Sequence, residues 1–542
     1  MIRFKIRRGA AAVLAFMICA LGAAWGQGTP NTRGVTGYTA PTVNLSHLSK
    51  NPPRNVTKRA LSSGLPSRYD LRNTGRLTPV KDQGEYGTCW AYAAVAACES
   101  NYLTRSRSGN FSGSLGNASS LNLSEMFLAW FAYRDEKSKS FTSTSGNVLD
   151  QGGNEWQSTA VLARTGLVVE SAMPYGKFPS RSARPESYPR VLRIKDATFA
   201  ALEHGSPEQN RIVKQLIMDR GAVIIAYHDD DNYFERRHSS YFRKGKTQPN
   251  HMITIVGWDD SYPRQNFGRD KPSRDGAWLA RNSFGARWGA GGYFWISYEQ
   301  FHRSGTAYTV EPVREKVRHY GHDDLGWIDS LRFGKGTNWA ASVFQVRGEG
   351  EKLSEAGFYT TDNGAKYTVL VYSYGEKKPT ASSLTSGKPI AEKSGTMDLA
   401  GYHTVKVSEG LALKKGEWFS VVVKLKNPSS EEPLAVEQRE KDYSDNCVVG
   451  AGESYFSGDG KTWIDGKTLK TPSNACVKAF TLCGKDTKDT VDEGDDDWEE
   501  EWDENEYDDF KNDNYDDDYD DDEGWEEEED EEDDDEDWEE EW

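Results

Sequence analysis

Four residues in this sequence are of the types that together make a nucleophile for carbonyl carbon. Cys89 lies in DQGEYGTCWAYA, between a Gly-bounded turn and the Ala-rich run WAYAAVAACESNYL. If that run is a helix opening at Cys89, its unpaired N–H groups and macrodipole favour the thiolate, the form that attacks. Free cysteines are commonly buried and inert, so position alone is weak and partners are required. A thiolate nucleophile needs a base within hydrogen-bond reach, a group orienting that base, and donors for the oxyanion. His251 opens the apolar run MITIVGW and can project from a sheet end. Asn282 follows WLAR at the exit of the next strand, where its amide can hold one imidazole nitrogen. Gln83, in the turn before Cys89, can join the Cys89 N–H as an oxyanion donor. Taken singly, these three read as a satisfied structural histidine, a turn former and a loop amide. Cys98 falls on the opposite helix face from Cys89, ~13.5 Å along the axis, and is expected to be a core thiol.

The elements that must position these residues divide by texture. The half beginning at Leu65 reads as helical, with helices after Cys89, near 122–134 and near 155–165, and a Gly/Ser-rich insertion near 105–120. Short apolar runs bounded by Gly or Asp then read as strands at 221–228, 251–260, 276–284 and 292–299. Helices followed by strands give an α+β class. After about residue 312 only strand patterns remain, separated by turns such as DNGA, SGDGK and KKGE, which is the pattern of an antiparallel β-sandwich.

LPSRYDLR, TPVKDQGEYGTCWAYA, LSE, QGG, MPYG, HMITIVGWDD and WLARNSFGARWGAGGYFWISY, in this order over residues 65–300, resemble the landmark segments of papain-family cysteine peptidases. His251 and Asn282 lie further from Cys89 than the ~130–150 residues usual for that signature, and insertions such as 104–120 accommodate the excess. The resemblance implies a two-lobed fold, a helical lobe plus a β-barrel-like lobe. It also implies peptide hydrolysis through a thioester, with Cys89 as nucleophile, His251 as base and then acid, Asn282 as imidazole orienter and Gln83 as oxyanion donor. Gly152 and Gly153 resemble the glycine pair whose backbone binds an extended substrate. Tyr86 and Asp150 stand where a family disulfide usually has its two cysteines. Phe284 replaces the usual Trp after Asn-Ser, and Asn250 stands where a carboxylate often precedes the histidine. Residues about 315–485 resemble the lectin-like β-domain that follows papain-type domains in some exported bacterial proteins, which implies cell-surface glycans as partners.

Charge and composition bound the rest. MIRFKIRR followed by GAAAVLAFMICALGAAW reads as a signal peptide over 1–26, so the expected setting is secreted, extracellular or cell-surface, with the periplasm as an alternative and no membrane span after its removal. Residues 27–63 are polar with no apolar period and read as an extended leader or short pro-segment, followed by a peptidase domain over 64–312 and a lectin-like domain over 313–485. Of the 85 acidic residues, 36 fall in 492–542 beside the single base Lys511, so a disordered acidic tail over 486–542 hangs from a basic body. The bases of that body are dispersed and the tail repels phosphates, which argues against nucleic-acid binding. Beyond Cys19 in the signal, five cysteines remain, none in a C-x-x-C pair, so at least one free thiol and no metal or cofactor are expected. The expected molecule is a monomeric thiol protease acting on proteins or peptides. The rival reading is a papain-like adhesin that has lost catalysis and serves as a glycan-binding scaffold.

Overall fold

The computed structural model describes residues 36–483, apart from 63, 111–114, 133, 136–139, 142–147, 181–182 and 314–315. The expected signal peptide and acidic tail lie outside the described residues.

The helix Cys89–Arg107 is buried on every side from Cys89 to Thr104. Its alanines let neighbouring elements approach closely, and a helix without a polar face belongs at the centre of a lobe. Helices Glu125–Ala132 and Glu155–Arg164 surround it, as the sequence pattern predicts. Helix Pro207–Arg220, to which the sequence reading assigns nothing, starts on a Ser206 cap that accepts from the Gln209 amide at 3.2 Å. The strands Val223–Tyr227, His251–Asp259, Ala277–Arg281 and Tyr293–Ser297 pair antiparallel in that order. Their continuous apolar runs are covered on both faces, with almost every residue of the first three buried. The sheet stays open among the described strands, ending at Phe234–Glu235 on one side and Val317–Tyr320 on the other.

That sheet continues into the C-terminal β-region. Strand Ser304–Pro312 pairs with Leu192–Ala201, which in turn pairs with Ala400–Ala412, setting Phe199 opposite Ala400 and Ala197 opposite Tyr402. At this seam Gly401 has φ +139°, and a Cβ there would lie 1.9 Å from the Ala197 carbonyl oxygen, so only glycine lets the strands meet. A file of rings crosses the same boundary. Trp156 stacks on Phe199 at 4.8 Å, Phe199 meets Trp327 at 6.3 Å, Trp327 meets Tyr359 at 5.8 Å, and Tyr359 meets Tyr402 at 5.2 Å. One apolar cluster therefore holds Cys89 and Trp156 together with Trp327, Tyr359, Tyr402 and Cys476.

The β-region is a sandwich. A six-stranded sheet, built around Thr337–Gln345, Ala365–Gly375 and Trp418–Lys426, faces the long sheet across a core of Val369, Val421, Phe358 and Phe456. Trp463 is buried in packing and donates its indole N–H to Thr385 Oγ1 at 3.2 Å. Cys89, Cys98 and Cys476 are free thiols. Among the described residues no helix is long and apolar enough to cross a membrane.

The leader departs from its expected extended form, because residues Arg54–Ser62 are helical. Local sequence gives little apolar period, and the helix is made by its partners. Val56 and Ala60 are buried, and Asp398 from the β-region caps the helix in trans, accepting from the Asn55 and Val56 amides at 2.9 Å each. Asn51 donates to Asp362 Oδ1 at 3.0 Å and the Asn363 carbonyl at 2.7 Å, and His47 Nε2 meets the Thr361 carbonyl at 2.8 Å. An N-cap carboxylate of this kind is worth ~1 kcal/mol. Asp398→Ala is accordingly expected to speed hydrogen exchange at the Asn55 and Val56 amides by ~5-fold. Unchanged exchange there would show that Asp398 does not hold the leader helix.

Candidate active site

Cys89 is the first residue of its helix and is fully buried. No side chain caps this helix start, since the Thr88 hydroxyl is taken by the Tyr175 hydroxyl at 2.5 Å. The positive end of the helix thus faces the sulfur rather than a capping oxygen. The Met252 amide adds a donor to Cys89 Sγ at 3.4 Å.

His251 opens its strand beside that sulfur. Its Nε2 meets Asn282 Oδ1 at 2.8 Å, which assigns the Nε2 proton to this bond and leaves the buried Nδ1 as the nitrogen that meets the Cys89 side chain. Burial pulls the imidazole pKa down most strongly, yet Cys89, then Asp229 and Asn282, outweigh it and leave the ring above its ordinary value. Phe284 stacks on His251 with centroids 4.8 Å apart and planes 24° from parallel, so a phenyl ring covers the His251–Asn282 bond in the place of the family's usual indole. Asn282 is itself fixed, its backbone N–H donating to the Gly292 carbonyl at 2.9 Å and its Oδ1 also accepting from the Ser283 backbone N–H at 2.8 Å. One residue earlier, Arg281 ties this strand to the helical lobe through the Pro79 carbonyl at 2.6 Å and Thr78 Oγ1 at 3.3 Å.

Asp229 is the residue that sequence reasoning missed. Asn250 looked like the loss of a carboxylate next to the histidine. In the structure its side chain accepts from the Asp229 amide at 2.7 Å and donates to the Asp229 carbonyl at 3.1 Å, fixing a carboxylate from the neighbouring strand end that favours the imidazolium. An Asn beside a loop of three aspartates, His-Asp-Asp-Asp, was the available signal.

Gln83 is fully buried, its Oε1 accepting from the Ser283 hydroxyl at 2.5 Å and its Nε2 donating to the Tyr86 carbonyl at 2.8 Å. Tyr86, in place of a disulfide cysteine, packs edge-on against Tyr175 and Phe178. Cys98 is buried in the core with its thiol pKa pushed well up by burial. Among the described residues no three His, Cys, Asp or Glu side chains are grouped to hold a metal.

The leader lies in the groove between these groups. Tyr38 bridges Gly153 in parallel, with the Thr39 amide donating to the Gly153 carbonyl at 3.0 Å and the Gly153 amide to the Gly37 carbonyl at 2.9 Å. The Tyr38 amide donates to the Asn250 carbonyl at 3.0 Å, immediately before His251. Gly37 passes so close to the turn before Cys89 that a Cβ on it would lie 1.9 Å from the Gly87 carbonyl oxygen. Thr39 Oγ1 also donates to the Gln151 carbonyl at 3.1 Å, and Thr42 to the Ile328 carbonyl of the β-region at 2.6 Å.

The model of the papain family cysteine protease matches residues 65–123 and 140–311. The chain carries a papain-family peptidase domain. A lectin-like domain model matches residues 319–481. A cysteine protease of Blomia tropicalis is 28% identical over 243 residues, 44% of this chain and 63% of that protein. Cathepsin J of Mus musculus is 27% identical over 260 residues, 46% of this chain and 65% of that protein. The chain therefore spans a little under two thirds of each of these relatives. Among solved structures, the Clostridial cysteine protease Cwp84 after propeptide cleavage superposes with TM-score 0.63 at 26% identity, covering 77% of this chain and 100% of that one. The cysteine protease and lectin-like domains of Cwp84, described as a surface-layer-associated protein of Clostridium difficile, give TM-score 0.61 at 26% identity over 77% and 89%.

Because Cys89 is the strongest of the groups holding the His251 proton, the Cys89→Ala variant leaves burial less opposed and its imidazole pKa falls relative to the parent. NMR titration of the ring reads this directly, and an unchanged His251 titration would sink the coupling. The sign also fixes the stability dependence. A raised folded-state pKa stabilises the fold at pH below the ordinary imidazole value, and that contribution disappears as pH rises through the folded-state pKa.

Proposed function

We propose that this protein is an exported cysteine endopeptidase whose leader occupies its own substrate groove. The observation that carries the reading is the buried His251 ring, held by Asn282 on one nitrogen and charge-coupled to Cys89. On this reading the peptidase unit spans 64–312, the lectin-like unit 313–485, and residues 1–26 direct export.

Cys89, as thiolate beside the His251 imidazolium, attacks the scissile carbonyl carbon and forms the C–S bond. The resulting oxyanion sits near the Cys89 amide and the Gln83 side-chain amide. As the C–N bond breaks, His251 gives its proton to the leaving amine, and the thioester remains. Water then attacks the thioester, His251 removes its proton, the C–S bond breaks, and the acid product leaves with the thiolate–imidazolium pair restored. Asn282 keeps the ring aimed through both halves, and Phe284 keeps water from its bond to His251. Gly152 and Gly153 bind the extended substrate by backbone, in the place the leader now takes. The lectin-like unit gives the enzyme a means to attach to cell-surface glycans.

A substrate-like epoxide is expected to label Cys89 once the leader is cleaved, and substrate is expected to protect it. Cys89→Ala abolishes both labelling and hydrolysis, and His251→Ala lowers kcat/KM by at least ~10²-fold. A folded wild-type protein that neither labels nor hydrolyses any peptide belongs instead to the inactive, glycan-binding reading.

A further inference from the structure

Asn154 follows the glycine pair and is fully buried, yet it carries more than a helix start requires. Its Oδ1 accepts from the Trp156 and Gln157 backbone N–H groups at 3.0 and 3.1 Å, which completes the cap of helix Glu155–Arg164. A serine or aspartate would serve that end equally. The asparagine adds two N–H groups on Nδ2, and both are used. One donates to the Thr39 carbonyl of the leader at 3.0 Å, and the other to the Tyr443 hydroxyl at 2.8 Å. Thr39 is thereby held at three points by one stretch of chain, since its backbone N–H goes to the Gly153 carbonyl at 3.0 Å and its Oγ1 to the Gln151 carbonyl at 3.1 Å. Tyr443 comes from the region that the lectin-like model matches. Its ring is buried against Leu325 and Ile328. Its loop is braced by the Ser444 hydroxyl, which donates to the Gln438 carbonyl at 2.7 Å and accepts from the Glu440 backbone N–H at 2.9 Å. The preceding Asp442 has φ +62°, a conformation that side-chain-bearing residues adopt only where their surroundings impose it. The hydroxyl is therefore delivered to Asn154 by a specified loop rather than a slack one.

We infer that Asn154 binds a backbone carbonyl of the substrate and that Tyr443 is a positioning residue that aims it, so the lectin-like region completes the peptide-binding groove of the peptidase. The inference rests on the peptidase reading above and adds residues to its substrate site. The physical ground is preorganisation. With its oxygen held by two backbone N–H groups and one amide hydrogen held by Tyr443, the Asn154 side chain has no rotation left, and its other N–H is fixed towards the chain beside Gly153. A donor already ordered binds at a lower entropic cost than one that must be ordered by the ligand. The leader runs parallel to Gly153, and the contact does not depend on that direction. In an extended chain the N–H and C=O of one residue, and those of the residue two further along, face the same side. A peptide of either direction that gives an N–H to the Gly153 carbonyl therefore presents its next carbonyl on that side to Asn154.

The test compares two fluorogenic peptides, one ending at the residue that pairs with Gly153 and one extended beyond it by two alanines. It is run on the full chain after leader cleavage, with each variant's active sites counted by epoxide labelling of Cys89. The wild type is expected to show a ~5-fold lower KM for the longer peptide at similar kcat, the size of one hydrogen bond. Asn154→Ser, which keeps a capping oxygen and loses both N–H groups, is expected to bring that KM ratio near one. Asn154→Asp keeps both cap bonds with the same loss of donors, and it covers the case in which the serine variant does not fold. Tyr443→Phe, which keeps the ring on Leu325 and Ile328, is expected to lower the ratio ~2-fold and to change nothing further when combined with Asn154→Ser. Equal KM for the two peptides in the wild type, a ratio that survives in the labelled Asn154 variants, or a Tyr443→Phe effect of undiminished size in the Asn154→Ser background overturns the inference while leaving the peptidase reading intact. Absence of any Cys89 labelling overturns the peptidase reading, and this inference falls with it.

Discussion

A titratable ring shut inside a dry protein is the constraint on which this structure turns. Removing one ion from water costs several kcal/mol even after relaxation, so a buried imidazolium exists only where the surroundings repay it. Burial alone would strip the proton from His251. Three groups from three parts of the chain oppose it: a thiol at a helix start, an aspartate at a strand end and an amide at the exit of another strand. Each has to be held to a fraction of an ångström, and that explains the rigid second tier around them. Asn250 fixes Asp229 through two backbone bonds, Gly292 and Ser283 fix Asn282, and Phe284 excludes water from the bond that sets the ring's orientation.

The residues of the candidate site were legible in the sequence because each sits at a local boundary. Cys89 marks a turn-to-helix junction, while His251 and Asn282 mark the start of one apolar run and the end of another. The relations among distant segments left no such mark. Asp229 was hidden because its effect on His251 passes through Asn250, and a substitution at one position was read as a loss rather than a relocation. The helix Arg54–Ser62 was hidden for a similar reason, its cap being Asp398, more than three hundred residues away, where no pattern of N-terminal caps in the leader itself could announce it. The pairing of Leu192–Ala201 with Ala400–Ala412 is likewise a contact between segments that each read only as one more strand. Local pattern gives strand identity, but partner and register come from the packing of whole faces.

That seam changes what the C-terminal β-region is to the rest of the chain. A tethered accessory domain would leave the peptidase sheet with an exposed edge at Leu192–Ala201, a liability that proteins ordinarily cover. Here the lectin-like region supplies the covering strand, the matching Gly401 and three of the five rings in the file from Trp156 to Tyr402. Separating the two would expose a strand edge and several large rings together, so the family boundary near residue 312 does not mark a line of mechanical weakness.

The same fusion resolves how so short a leader can stay in the groove. A segment of a few dozen residues cannot bury enough apolar surface to fold on its own. This one borrows its scaffold: Asp362, Asn363 and Asp398 of the β-region fix its middle and its helix, which leaves residues 37–39 lying along Gly153 and Asn250. Because the segment is tethered, each further contact is intramolecular, and effective concentrations in the millimolar range let individually weak hydrogen bonds compete with free substrate. Cutting the chain anywhere between the groove and the anchor removes that advantage without breaking a single contact in the groove.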